Sequence, residues 1–87
     1  MMFKEEVVAI EWVDACSYDP WQPIKEAEKM TLTTIVSIGT IIKRTEEHVV
    51  LSPNIGENDE VCCVMCIPVS CIKDVRKMSM GKAKMAI

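Results

Sequence analysis

The sequence predicts a mainly β protein, a small five-stranded barrel with a short helical insert between its first two strands. Three observations support this fold class: apolar and polar residues alternate with period two in several runs, β-branched residues dominate those runs, and proline or glycine separates them. The chain has 87 residues, of which 49% are hydrophobic and 5% aromatic. We expect one domain, residues 1–78, and a flexible tail at residues 79–87.

The first strand is followed by an irregular segment. Val7–Val13 alternates as a strand, with Trp12 on its apolar face. Pro20 and Pro23 interrupt the next segment, because proline cannot serve a central strand. Ile24–Met30 has the acidic first turn that favours a helix, so we expect one or two helical turns there.

The middle of the chain predicts a long strand and its return. Leu32–Ile42 keeps period-two spacing, and so long a strand in a small barrel should bend at Gly39, where glycine tolerates a bulge. Lys43–Glu47 reads as a polar hairpin tip, and His48–Ser52 returns as a strand. Pro53–Asp59 has the composition of a loop.

Two further strands are expected in the last third of the chain. Glu60–Ile67 has apolar side chains at both odd- and even-numbered positions, which predicts a strand buried on both faces. We expect another subunit to cover its outer face. Pro68 ends that strand, and Val69–Cys71 suggests a tight turn. Ile72–Met78 fits a helix or a strand, and we predict a closing strand. Five such strands are typical of the Src-homology or Sm-like barrel, with the oligonucleotide-binding barrel as the alternative.

The composition also predicts self-association and a location in the cytoplasm. So much apolar material is hard to hide in so small a domain, and contiguous exposed apolar surface usually marks an interface, so we expect a homo-oligomer. No run of about 18–20 apolar residues is present, which predicts no membrane partner. An odd count of five cysteines without a signal peptide indicates free thiols in a reducing cytoplasm.

The charge argues against a nucleic-acid partner. The formal net charge is -3, so attraction to phosphate would need a local basic patch. The C-terminal part carries such a cluster, at Lys73, Arg76, Lys77, Lys82 and Lys84. Clusters of this kind are more often a solvated face or tail than a binding site for nucleic acid.

Several short motifs resemble a group of small proteins of tailed phages and prophages. The typical form of that group is VEW-x-D, a loop tryptophan, SVGWL and IP-x-x-x-I. This chain has Trp12-x-Asp14, Trp21, Ser37-Ile-Gly39 and Ile67-Pro68-x-x-Cys71-Ile72. The match covers most of Val7–Met78, although Thr40 stands where the group has an aromatic residue after the glycine. The resemblance implies an accessory protein that acts in the host cytoplasm, and it carries no catalytic activity with it.

The cysteine cluster and the single histidine invite chemical interpretations that the spacing does not favour. On a strand Cys63 and Cys66 would point to opposite faces, so they should not converge on one metal ion. We therefore expect packed core and interface thiols, no metal and no cofactor. His48, beside two glutamates, has no orienting partner in the sequence, and no phosphate-binding glycine loop is present. We predict that the protein is not an enzyme.

The better functional candidate is the ten-residue segment Trp12–Trp21, which holds most of the aromatic residues and two carboxylates. Aromatic rings stack on bases, and carboxylates accept hydrogen bonds from bases or ribose. Trp12 is expected to fill the barrel, whereas ligand contact and sealing of one barrel end both stay open for the other aromatic residues. Cations at the hairpin tip are expected to meet phosphates across a subunit boundary, or else to form a solvated turn. The predicted ligand-binding residues are Trp12, Asp14, Tyr18, Trp21, Lys43 and Arg44.

Three functions follow from these expectations. The first is a non-catalytic, homo-oligomeric phage accessory protein that sequesters a small ligand, such as a nucleotide-type signal of host defence, at subunit boundaries. The second is an interaction or inhibitor module directed against a host protein. The third is an Sm-like nucleic-acid binder that uses the basic C-terminal segment, which the acidic net charge argues against.

Overall fold

Residues 6–79 are described by a computed structural model of the chain, and they are mainly β. The strands are β1 (Val7–Asp14), β2 (Thr33–Arg44), β3 (His48–Ser52), β4 (Asn54–Ile55), β5 (Val61–Cys62), β6 (Met65–Pro68) and β7 (Ile72–Lys77). A helical turn, α1 (Ile24–Ala27), lies between β1 and β2, and a 3-10 turn, Val69–Cys71, joins β6 to β7. Five strands form one antiparallel sheet in the order β6-β3-β2-β1-β7, while β4 and β5 form a separate hairpin.

The alternating patterns predicted the strands of this sheet well. The expected strands at residues 7–13, 32–42 and 48–52 correspond to β1, β2 and β3, and the ambiguous segment Ile72–Met78 forms a strand as predicted. The helical insert between the first two strands is also confirmed, although it is shorter than Ile24–Met30 and has no buried residue. The tail predicted at residues 79–87 lies outside the described residues except for Ser79.

The closed barrel is not observed. Within residues 6–79, β6 and β7 are the two edges of the sheet and are not hydrogen-bonded to each other. Strand β2 pairs with β1 from Thr33 to Thr40 and with β3 from Thr40 to Arg44. It therefore changes its partner strand at Thr40. The edge strand β6 is four residues long and pairs with β3. The sheet is therefore curved but open.

The pairing of β2 with β1 has no bulge at Gly39, where we predicted a bend at a bulge. The register between β2 and β3 shifts between Ile41 and Lys43 instead, so the bulge lies near the hairpin tip. Gly39 has a different role. A Cβ atom at this position would lie 2.6 Å from the carbonyl oxygen of Ser52 and 2.8 Å from its carbonyl carbon, so only glycine allows the two backbones to approach this closely.

The segment Glu60–Ile67 is not one strand buried on both faces, and that prediction is wrong. Cys63 has a φ of 59°, in the left-handed region, and separates β5 from β6. All side chains from residue 61 to residue 66 are exposed, and only Ile67 is buried. The predicted loop Pro53–Asp59 likewise contains a strand, β4, which pairs with β5.

Ser52 attaches the β4–β5 hairpin to the sheet. Its side chain is completely buried, and its Oγ lies 2.9 Å from the carbonyl oxygens of both Asn54 and Cys62. The hydroxyl has one proton, so it donates to one of these carbonyls at a time. The same oxygen accepts from the backbone N–H of Asn54 at 3.3 Å. The hairpin is therefore held in place by hydrogen bonds to one buried hydroxyl.

The core lies on the concave face of the curved sheet and is small. The expected alternation of β1 is confirmed, because its even-numbered apolar side chains are buried. The buried hydrophobic residues described are Val8, Ile10, Trp12, Val49, Leu51 and Ile67. Much of the remaining apolar material is consequently at the surface.

Candidate functional site

Trp12 belongs to the core rather than to a ligand surface. Its side chain is 7% exposed, and its indole N–H donates to the Oγ of Ser37 across the β1–β2 pair at 3.0 Å. The Ser37 hydroxyl lies in turn 3.7 Å from the sulfur of Met65. The ring is thus buried, and almost none of its surface is exposed for a ligand to stack on.

The other predicted aromatic residues lie in a projecting segment that joins β1 to β2. We name residues 15–32 the arm. None of its side chains is buried, and only Gln22 is half-buried. Trp21 is fully exposed, Ile24 is 77% exposed, and Leu32 and Tyr18 are exposed as well. So many exposed large apolar side chains in one segment indicate a surface that is covered by something else.

The base of the arm is closed by local hydrogen bonds. The Cys16 thiol donates to the carbonyl oxygen of Thr31 at 3.1 Å and so links the two ends of the arm. At the end of β1, a carboxylate oxygen of Asp14 accepts from the backbone N–H of Ala15 at 2.8 Å. Asp14 is exposed and keeps its second oxygen for a ligand.

The two predicted cations, Lys43 and Arg44, are on opposite faces of the sheet. Lys43 is opposite Val50, and Arg44 is opposite the buried Val49, so Arg44 is on the concave face. Arg44 borders a pocket of about 400 Å³ whose floor is apolar and whose rim includes the ion pair between Lys77 and Glu6, with Nζ and Oε1 3.2 Å apart. The two cations of the hairpin tip therefore leave the sheet in opposite directions.

The six predicted ligand-binding residues do not lie close together within one chain. Asp14 is paired with Thr33 at the first residue of β2, and Lys43 and Arg44 are at its other end. The strand is 12 residues long, which places the base of the arm roughly 30 Å from the cations along the strand. Tyr18 and Trp21 project from the end remote from the cations.

A second concave surface was not anticipated from the sequence. It is a pocket of about 280 Å³ between β2 and the β4–β5 hairpin, lined by Thr40, Ile41, Ile42, Ile55, Asp59 and Val61. The walls are mostly branched aliphatic side chains, and Asp59 adds a carboxylate that can accept a hydrogen bond from a group in the pocket. Asp59 is held at a φ of 58°, so its backbone is in the left-handed region. The outward-facing Ile42 and Val61 were the only signal that the sequence offered for this pocket.

The cysteines are exposed, which corrects the expectation that they pack in the core of the chain. Cys16, Cys62, Cys63 and Cys66 are exposed, and Cys71 is half-buried. The pKa of the Cys63 thiol is raised, first by a hydrogen bond to its neighbour Cys62 and then by the charge of that neighbour's sulfur. In the part of the chain that the structure describes, no three acidic, histidine or cysteine side chains are arranged to hold a metal ion. His48 begins β3, opposite Pro68.

The chain matches no protein-family model, no curated protein and no solved structure. No helix between residues 6 and 79 is long and apolar enough to cross a membrane.

Proposed function

We propose that this chain is a non-catalytic binding protein that works as a homo-oligomer and holds a small, nucleotide-type ligand at the boundaries between its subunits. One observation carries the proposal. The aromatic side chains of the arm and the cations of the hairpin tip are exposed at opposite ends of β2, so two copies are needed to place them around one ligand.

Exposed apolar side chains support the oligomer. They extend beyond the arm onto the face of the sheet opposite the core, at Val36, Ile38 and Ile42, and onto the neighbouring β4–β5 hairpin, at Val61. Burial of apolar surface stabilises association by roughly 25 cal/mol per Å², before the entropic cost of association is counted. Surfaces of this kind, when contiguous, mark interfaces.

The chemistry of the ligand follows from the groups that would meet at such a boundary. Tyr18 can stack on a base, and the carboxylates of Asp14 and Asp19 can accept hydrogen bonds from ribose hydroxyls or base amines. Lys43 of a neighbouring copy would supply the positive charge that a phosphate requires. A planar ligand that also carries phosphate matches all three kinds of group.

The biological role that we propose is sequestration of a nucleotide-type signal of host defence in the host cytoplasm. The resemblance of the Trp12, Trp21, Gly39 and Pro68 motifs to phage and prophage proteins supports this role. The strand order, with the last strand beside the first, supports a Src-homology or Sm-like type of sheet that is left open.

Two measurements test this function. Native mass spectrometry of protein purified from cells should show an oligomer with a co-purifying small molecule. A thermal-shift screen with cyclic nucleotides and ADP-ribose-type nucleotides should then raise the Tm for at least one class. A monomer, or an oligomer whose Tm no nucleotide of either class changes, would overturn the proposal.

A protein-interaction or inhibitor module is the second candidate, and the full exposure of Trp21 favours it. Tryptophan is enriched among the residues that dominate binding energy at protein interfaces. Capture of one stoichiometric host protein, lost on Trp21→Ala, would support this function instead. Nucleic-acid binding has less support, because Arg76 and Lys77 are paired with Asp74 and Glu6 at 2.7 and 3.2 Å.

A further inference from the structure

The geometry points to one specific contact between copies: Trp21 in the arm of one copy inserts into the pocket between β2 and the β4–β5 hairpin of a second copy. This inference rests on the proposed homo-oligomer and adds to it the residue that enters, the pocket that receives it and the hydrogen bond that orients it. A second copy of this chain is the partner.

The arm presents Trp21 as a protruding group with little freedom to fold back. Pro20 and Pro23 flank it closely, and each proline fixes its own φ near -65°. The thiol of Cys16 holds the base of the arm to Thr31. The indole therefore projects from a restrained loop, and a restrained group loses less conformational entropy when it binds.

The pocket has the chemistry that an indole needs. An indole has two apolar faces and a single N–H donor. Ile41, Ile42, Ile55 and Val61 provide apolar walls, and the Asp59 carboxylate provides an acceptor. The volume of about 280 Å³ is sufficient for one large side chain. An aromatic ring with one donor matches both the apolar walls and the acceptor.

The chain's own Trp21 does not reach this pocket. The arm leaves the sheet where β2 begins, at Thr33, and the pocket lies against Thr40–Ile42, towards the other end of the 12-residue strand. At about 3.3 Å per residue the two sites are separated by more than roughly 20 Å along β2. Trp21 is fully exposed in its own chain, so it is free to enter the pocket of another copy.

The charges around the two surfaces are compatible with this contact. Asp19 is two residues from Trp21, and Lys43 directly follows the pocket residue Ile42. Docking of Trp21 would bring the charges of Asp19 on one copy and Lys43 on the other near each other, and a pairing of opposite charges favours association.

Docking would remove apolar surface from water on both copies. Each docked Trp21 ring would lose up to about 150–250 Å² of exposed area, and the pocket walls that it covers would lose exposure as well. The exposed Tyr18 and Ile24 are three residues from Trp21 on either side and are available to enlarge this contact.

The test uses the full-length chain and its two tryptophans. Trp12 is buried and reports folding, whereas Trp21 reports docking. On dilution of the wild type, the emission should shift to the red as Trp21 enters water, in step with the loss of mass measured by light scattering. Trp21→Ala and Val61→Glu should each weaken association by more than about tenfold.

Matched controls separate docking from general effects. Val64→Glu adds the same charge to another exposed valine, three residues away, that does not line the pocket, so it should change association by less than about twofold. Asp59→Gly should weaken association, because it removes the acceptor at a φ that glycine tolerates, whereas Asp59→Asn keeps an acceptor oxygen and should weaken it less.

The outcomes distinguish two kinds of failure. A monomeric wild type at high concentration would overturn both the proposed homo-oligomer and this contact. An oligomeric wild type whose association is unaffected by Trp21→Ala, or is weakened equally by Val61→Glu and Val64→Glu, would overturn only the contact. In that case the oligomer would use another surface, and the proposed function would stand.

Discussion

Gly39 shows how a single residue sets the distance between two strands. A methyl group here would meet the backbone of Ser52 at 2.6 Å, and backbone atoms cannot move aside as a flexible side chain can. Gly39→Ala should therefore reduce the free energy of unfolding by about 2–3 kcal/mol. Urea denaturation followed by circular dichroism measures this change.

Gly56→Ala is the matched control for that substitution. A Cβ at Gly56 would have its nearest contact at 3.4 Å, with the carbonyl oxygen of Glu60, which is an ordinary van der Waals distance. We expect a change of less than about 0.5 kcal/mol at this position. Equal destabilisation by the two substitutions would show that close packing at Gly39 is not the cause.

The adjacent thiols Cys62 and Cys63 give a prediction on reactivity. A hydrogen bond to Cys62 raises the pKa of the Cys63 thiol, so the reactive thiolate of Cys63 is less populated near pH 8. Cys62→Ala should lower that pKa and accelerate alkylation of Cys63 by iodoacetamide, as followed by peptide mass spectrometry. The acceleration should disappear at a pH above the pKa that Cys63 has in the wild type and in the variant, because Cys63 is then fully ionised in both. Cys66→Ala should leave the rate unchanged.

At the scale of elements, the break between β5 and β6 depends on the backbone of Cys63. Its φ of 59° is costly for a residue with a Cβ and more costly for a β-branched one. Cys63→Gly should stabilise the protein by up to about 1 kcal/mol, and Cys63→Val should destabilise it by about 1 kcal/mol or more. Thermal unfolding measures both. If valine were as stable as glycine, the segment would be the continuous strand that its side chains suggest.

The strands of the main sheet could be predicted because their signal is local. Alternation in β1 and β2 reflects one buried and one exposed face, and it gave both the elements and the burial of Val8, Ile10 and Trp12. The run Glu60–Ile67 contains no glycine or proline before its end, so nothing local marks the left-handed residue in the middle. Beside that break the hydroxyl of Ser52, ten residues earlier in the sequence, hydrogen-bonds the carbonyl oxygen of Cys62, a contact that the local pattern does not show.

At the scale of the whole molecule, the candidate site was predictable by residue type and not by position. Tyr18, Trp21, Lys43 and Arg44 are exposed, as ligand-binding residues need to be, whereas Trp12 fills the core, as its place on the apolar face of β1 predicts. Their separation along β2 depends on the length and path of the sheet, and the pocket beside the β4–β5 hairpin depends on pairing that the sequence does not show. Long-range geometry of this kind cannot be obtained from local patterns.

The same separation yields a test of the whole assembly. If the arm of one copy and the hairpin tip of another form each ligand site, Tyr18→Ala and Lys43→Ala should each abolish binding of the nucleotide that stabilises the wild type. A mixture of the two variants, dissociated and reassembled, should recover roughly one quarter of the sites, because each site then draws its two halves independently. Isothermal titration measures the recovered stoichiometry. A site built within one chain would recover none, because every copy in the mixture carries one of the two substitutions.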